Sequence, residues 1–349
     1  MDEPEFLFEL RVCRWAERHW PPVGDLDEDT AVVVARQLGT RGRRWDTIVL
    51  ECDASALDAR AVFGEERLDS DLLHVVRNAP ASWGWYRDAL PDPGYPWRYV
   101  REAVHAAADR GLVETRSGTN GRIDLRRKYR YPDWVERVVA IENKPDLDAS
   151  AARALGDQLE RDVALGLADE VWVATRATGA DVEPALYERL PVEAGILAVG
   201  DGALAGTDDA SVDVAWNATA LAVDAPGTRI LERPTGGEYD QSAARFEYVA
   251  PTWKADKRLE IAERAYERGW RSFVDTMRPD CRHFELHDPD RPLPYCAAKA
   301  RHVTASECRH ACGEFSPEPP AWRSKGWPIE GGPGKALKRL LADQRARRR

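Results

Sequence analysis

Apolar positions along this chain switch between two periods, and the switches mark out strands and helices. Residues 137–141, Arg-Val-Val-Ala-Ile, are almost continuously apolar, as expected of a strand buried on both faces. Side chains leave a strand on alternate sides, so Glu142 and Lys144 share one face while Ile141 and Asn143 share the other. Pro145 has no N–H for the ladder and ends the strand. Next, Asp146, Asp148 and Ser150 offer caps, and Ala152, Leu155, Leu159 and Val163 recur at spacings of three and four, the apolar face of a helix that Gly166 closes. Residues 170–175, Glu-Val-Trp-Val-Ala-Thr, read as the following strand, so a parallel crossover is predicted. Near the start, a helix is predicted over Glu5–Arg18, then a connector, then a strand over Arg43–Glu51 with Asp46 at its entrance.

Residues 66–128 follow a different rhythm. A short helix over Leu72–Asn78, a second over Trp83–Leu90 capped by Ser82, and a third from Pro96 to Arg110 precede a hairpin. Its arms are Leu112–Arg116 and Arg122–Arg126, joined by the turn Ser117–Gly121. Three helices and a two-stranded wing resemble a winged helix. Further on, Gly195–Gly200 and Val212–Ala215 are short strands that would extend the sheet, separated by a polar loop over Asp201–Asp209. A boundary near Thr235–Glu238 precedes a helix over Lys254–Thr276.

The residues at the exit of the first strand carry a definite chemistry. Cleaving a phosphodiester calls for a divalent cation that neutralises phosphate charge and lowers the pKa of a bound water. Hard cations such as Mg²⁺ or Mn²⁺ take carboxylate oxygens and keep several waters, so two acids suffice. A nearby ammonium orients the water or stabilises developing charge. Glu142 and one upstream Asp would hold the metal, and Lys144 would serve water and phosphate. Two Asp residues compete for the first place: Asp133, in Pro132-Asp133 with a short spacer, and Asp46, on the better strand but far upstream. Glu142-Asn143-Lys144 is the chain's one acid-x-Lys triplet among only 8 lysines.

This pattern resembles the PD-(D/E)XK nuclease superfamily, whose restriction-endonuclease-like fold is a mixed α/β sheet flanked by helices. The strand with Glu-x-Lys, the helix and the parallel strand correspond to the core crossover of that fold. The resemblance implies a supporting role for Gln158 on the helix, in the RecB-like manner, although Asp162 stands where that branch carries a Tyr. It also implies that Glu9, on the first helix, adds a carboxylate, against the plainer reading of a solvated face. The whole chain is similar to an uncharacterised haloarchaeal family, which brings no activity with it.

Charge sharpens the picture. Formal net charge is −10, with 42 Arg, 8 Lys and 60 acidic residues, which argues against indiscriminate nucleic-acid binding by the whole surface. Locally the sign reverses: Arg110, Arg116, Arg122, Arg126, Arg127, Lys128 and Arg130 outnumber Asp109, Glu114 and Asp124, so this segment is expected to contact DNA phosphates. The plainer alternative is a packing module. No run is apolar enough to span a membrane and the N-terminus is no signal peptide, so a cytoplasmic protein is expected.

Four of the six cysteines, Cys281, Cys296, Cys308 and Cys312, fall in one segment with His283, His287, His302 and His310 interleaved. In a cytosolic protein such clustering suggests metal rather than disulfide. Four thiolates suit a structural Zn²⁺ or an iron–sulfur cluster. The resemblance to nucleases that hold such a cluster with one cysteine before the core and three after it implies Cys13 as the upstream ligand. Four reduced thiols in a small core is the remaining reading. The terminal stretch Lys335–Arg349 ends in three arginines and reads as a solvated tail.

The expected organisation is a nuclease-like core over residues 1–60 and 129–235, a winged-helix insertion over 66–128, and a helical, Cys-rich C-terminal module over 236–349. The expected function is metal-dependent hydrolysis of DNA phosphodiesters in repair, recombination or defence. The alternatives are a non-catalytic winged-helix DNA-binding protein on an inactive nuclease scaffold, and a protein-interaction module.

Overall fold

A six-stranded mixed sheet lies at the centre of the computed structural model, which describes residues 5–40, 42–118, 121–146, 149–177, 184–200, 212–232, 245–271, 277, 281–287, 293–308 and 312–316. Helix α1 (Glu5–His19) leads into β1 (Thr30–Thr40) and β2 (Arg43–Asp53), a long antiparallel pair. The chain then leaves the sheet for α2 (Ala54–Ala61), α3 (Ser70–Asn78), β3 (Gly84–Trp85), α4 (Tyr86–Ala89), α5 (Trp97–Asp109), β4 (Val113–Ser117) and β5 (Ile123–Arg127). It returns as β6 (Val135–Asn143), antiparallel to β2. Helix α6 (Ala149–Leu165) crosses to β7 (Glu170–Arg176), parallel to β6, and α7 (Pro184–Arg189) leads to β8 (Gly195–Val199), parallel to β7. Strand β9 (Val212–Trp216) closes the order β1-β2-β6-β7-β8-β9. Beyond it lie the hairpin β10 (Gly227–Glu232) and β11 (Arg245–Val249), helix α8 (Pro251–Arg268), and a small sheet of β12 (Phe284–His287), β13 (Leu293–Cys296) and β14 (Arg301–His302).

Period-two alternation divides the central strands between two cores. Val33, Ala35, Ile48, Leu50, Val138, Ala140, Val171 and Val173 point into one, shared with α6, α8 and the excursion between β2 and β6. Val34, Val49, Val139, Ile141, Trp172 and Ala174 point into the other, covered by Phe8, Val12, Cys13 and Trp15 of α1. The crossover over residues 137–175 is thus as the apolar periods predict. Strand β1 is not among the predicted elements, since the segment before Asp46 reads as a connector, yet it pairs along nearly the whole of β2. The second predicted helix is mostly absent: Gly84-Trp85 pairs with Asp124-Leu125 as a strand, leaving only the four residues of α4 helical. The last predicted helix runs over Pro251–Arg268, and Ile261, Ala262, Ala265 and Tyr266 place it in the main core rather than in a separate module.

A buried ion pair ties α8 to the excursion. Arg60 and Glu263 are both fully enclosed, with Nε donating to Oε1 at 2.6 Å, and Tyr131 Oη and the Leu68 N–H donate to the same carboxylate. Removing one partner of such a pair strands the other charge, so it fixes where the excursion docks. The predicted loop 201–209, the boundary at 235–238 and the tail 335–349 lie outside the described residues.

Candidate active site

Because β2 and β6 are antiparallel, the start of one lies beside the end of the other. The register pairs Thr47 with Ile141, and its continuation sets Asp46 opposite Glu142. Asp46 Oδ2 accepts the Asn143 N–H at 3.0 Å, which pins the carboxylate to the strand end. Its other oxygen accepts from Gln37 Nε2 at 3.2 Å, and the same amide donates to Glu9 Oε1 at 2.8 Å, joining α1 to β2. Arg36 closes a two-pronged bridge on Glu9, at 3.0 and 2.8 Å. Gln37 holds this position with φ of 56°, a left-handed conformation that costs a non-glycine residue about 1–3 kcal/mol and gathers at functional sites.

Glu142 is only 3 % exposed. Its Oε2 accepts from Gln158 Nε2 on α6 at 3.3 Å, and its Oε1 from Arg43 Nη2 at 2.7 Å. Arg43 also grips Asp162, one helical turn beyond Gln158, through Nε at 2.9 Å and Nη2 at 2.6 Å. Burial, followed by the negative field of Asp46, pushes the Glu142 carboxyl up to about 8, with Arg43 pulling the other way. Burial also raises Glu9 and Asp162, against Arg36 in one case and Arg43 in the other. Lys144 Nζ donates to Glu5 Oε1 at 2.7 Å. Burial works to lower the Lys144 pKa, but Glu5 and the fields of Asp46 and Glu142 outweigh it and the net direction is up.

Five residues singled out in the sequence therefore meet at one end of the sheet: Glu9, Asp46, Glu142, Lys144 and Gln158. Asp133 does not join them. It precedes β6, and Val135 is already seven residues from Glu142, or about 23 Å along a strand. Three further participants, Gln37, Arg43 and Asp162, carried little signal. Gln37 sits in the unread strand β1, Arg43 is one of 42 arginines, and Asp162 registered only as a departure from the Gln-x-x-x-Tyr pattern. As the side chains stand, no three His, Cys, Asp or Glu groups among the described residues are set to hold a metal ion. The donors that do converge, two carboxylates on paired strands with a third behind Gln37, suit a hard cation that keeps most of its waters.

The basic segment is mostly committed to its own fold. Arg110 donates to the carbonyls of Phe63, Glu66 and Arg67. Arg116 and Arg122 pair with Asp124, and Arg126 pairs with Glu114. Arg116 and Arg126 also lie over the Trp83 ring at 4.7 and 4.8 Å, and Arg122 over Trp85. Lys128 lies over Tyr129. Arg127 and Arg130 are exposed and line, with Asp133, Arg77, Tyr95 and Trp253, a groove of about 830 Å³. Elsewhere, Cys13 is buried under the sheet with its Sγ 3.2 Å from Thr47 Oγ1, and burial pushes its thiol up to about 12. No helix among the described residues is long and apolar enough to cross a membrane.

No curated protein matches the chain, and neither does any solved structure. One family model does, over residues 33–317, a span that takes in the central strands, save the first three residues of β1, and all but Glu5 and Glu9 of the constellation above. The protein belongs to that family, DUF5787, a family of unknown function.

Proposed function

We propose that this protein is a divalent-metal-dependent nuclease that hydrolyses DNA phosphodiester bonds with a PD-(D/E)XK-type site. The observation that carries this reading is the meeting of Asp46, Glu142, Lys144 and Gln158, drawn from three separate stretches of chain, at one end of a mixed sheet. The crossover β6–α6–β7 and the antiparallel β1–β2 pair support a restriction-endonuclease-like core. The excursion from α3 onward, in the order helix, strand, helix, helix, strand, strand, supports a winged helix.

Asp46 and Glu142 would hold Mg²⁺ or Mn²⁺. A bound divalent cation supplies charge neutralisation at the phosphate and an acidified water. Gln158 holds the Glu142 carboxylate in place. Lys144, kept protonated by its acidic surroundings, offers an ammonium to the water or to the charge developing on the phosphate. Glu9 acts through Gln37, which orients Asp46. None of the six cysteines is in a disulfide, which suits a reducing compartment.

A second reading has its own observation. Arg43 already occupies one oxygen of the Glu142 carboxyl, as expected of an inactive scaffold whose winged helix does the binding. The two separate in one experiment: labelled single- and double-stranded DNA incubated at high salt with Mg²⁺ or Mn²⁺, comparing wild type, Glu142→Ala and Lys144→Ala. The nuclease reading expects metal-dependent cutting that both substitutions reduce by at least about 100-fold. Folded wild type that binds DNA and cuts none of it would establish the scaffold instead.

A further inference from the structure

The Cys-rich segment takes no part in the chemistry above, and four of the chain's six cysteines collect there. Cys281, Cys296, Cys308 and Cys312 come from four positions along the chain, and all four line a single cavity with Phe284, Val303 and Phe315. Backbone pairing brings them together. Cys296 lies across β13–β12 from Phe284, whose N–H donates to the Cys281 carbonyl. The Arg282 N–H donates to the Ser316 carbonyl, which draws the Cys312–Phe315 turn alongside Cys281. A turn from Thr304 delivers Cys308, its N–H donating to the Thr304 carbonyl.

Size decides what the cavity can take. It has room for about one water-sized body, which suits a single ion. The surrounding segment has little else to hold it. Its sheet totals ten residues in three strands, and few apolar side chains among the described residues are buried there: Phe284, Pro294 and Val303. Segments with so small a core are normally closed by disulfides or a metal, and none of the four cysteines is in a disulfide. As they stand the thiols do not form a finished coordination sphere. Changing one cysteine rotamer moves its Sγ by about 3 Å with the backbone fixed, enough to turn a ring of thiols inward.

We propose that Cys281, Cys296, Cys308 and Cys312 bind a single structural Zn²⁺ as four thiolates. Binding releases the four thiol protons to solvent and involves no redox step. The ion then pins this segment against the sheet face carrying α1, where Cys281 and Cys308 already pack. Cys13 lies outside the cavity and is no ligand.

The test is the metal content of the purified full-length chain, by elemental analysis, alongside Co²⁺ substitution and titration of released zinc with a thiol-blocking mercurial. One zinc per chain is expected, with tetrahedral-thiolate absorption bands after cobalt exchange and release complete only when four thiols are blocked. Cys308→Ser and Cys312→Ser should each lose most of the zinc, and Cys13→Ser should keep it. Because the ligand variants could fail to fold, the wild-type measurements stand alone. Wild type that carries no zinc, refuses cobalt and exposes four reactive thiols in the native state overturns the proposal. So does iron with equimolar sulfide in place of zinc.

Discussion

Burial raises the Glu142 carboxyl to about 8, which opposes the metal binding proposed for it, and this has measurable consequences. A group whose pKa rises from its ordinary 4.5 to about 8 on folding contributes stability that is complete below about 4.5 and is lost as pH climbs through 8. Without metal, Glu142→Gln should therefore gain on wild type as pH rises from about 5 to about 8.5, by about 2–5 kcal/mol in denaturant unfolding. A stability difference independent of pH would remove the raised carboxyl from the account. With metal the sign reverses: the cation must displace that proton, so Mn²⁺ affinity should rise with pH up to about 8. Arg43 competes for the same carboxylate, and Asp162 is where it remains anchored once Glu142 is taken. Arg43→Gln should tighten Mn²⁺ binding by about 10-fold or more in calorimetry, since opposing like charges at a shared ligand are worth about 1–3 kcal/mol. Glu142 and Lys144 were legible because a strand exit followed by proline fixes which side chains share a face. Arg43 and Gln37 were not, because their roles depend on register and on one left-handed backbone, neither of which leaves a compositional trace.

At the scale of elements, the well-read ones were those whose neighbours in sequence are also neighbours in space. The β6–α6–β7 crossover buries its own apolar faces, so period and structure agree. Strand β1 escaped notice because Arg36 and Gln37 interrupt its apolar run, and they do so to serve Glu9 and Asp46. The basic wing misled for the opposite reason. Its charges are real, yet Asp124, Glu114 and two tryptophan rings consume most of them. If the proposed DNA binding holds, phosphate contact would fall to the exposed Arg127, Lys128 and Arg130. Arg127→Ala with Arg130→Ala should reduce the salt slope of DNA binding by about 2. Arg116→Ala should leave that slope alone and loosen the wing instead, seen as faster amide exchange in β4 and β5. Equal effects on the slope from both sets would return the whole segment to the DNA surface.

Across the whole molecule, the excursion between β2 and β6 depends on a helix more than a hundred residues later. Glu263→Ala would leave Arg60 charged and enclosed, and should cost about 3–5 kcal/mol in chemical denaturation, with Tyr131 and Leu68 losing their acceptor as well. A loss under about 1 kcal/mol would mean that the excursion holds its place without this pair. The excursion also leaves β2 at Asp53 and returns at Val135, so it is rooted at the pole of the sheet opposite Asp46 and Glu142. In the nuclease reading, the length of β6 becomes a ruler. Its roughly 23 Å corresponds to about seven base pairs of duplex, so the bond that breaks is separated from the grip by most of a helical turn. A duplex too short to reach both poles should be a poor substrate however sound the chemistry, and cuts should fall at a fixed minimum offset from whatever feature the grip prefers.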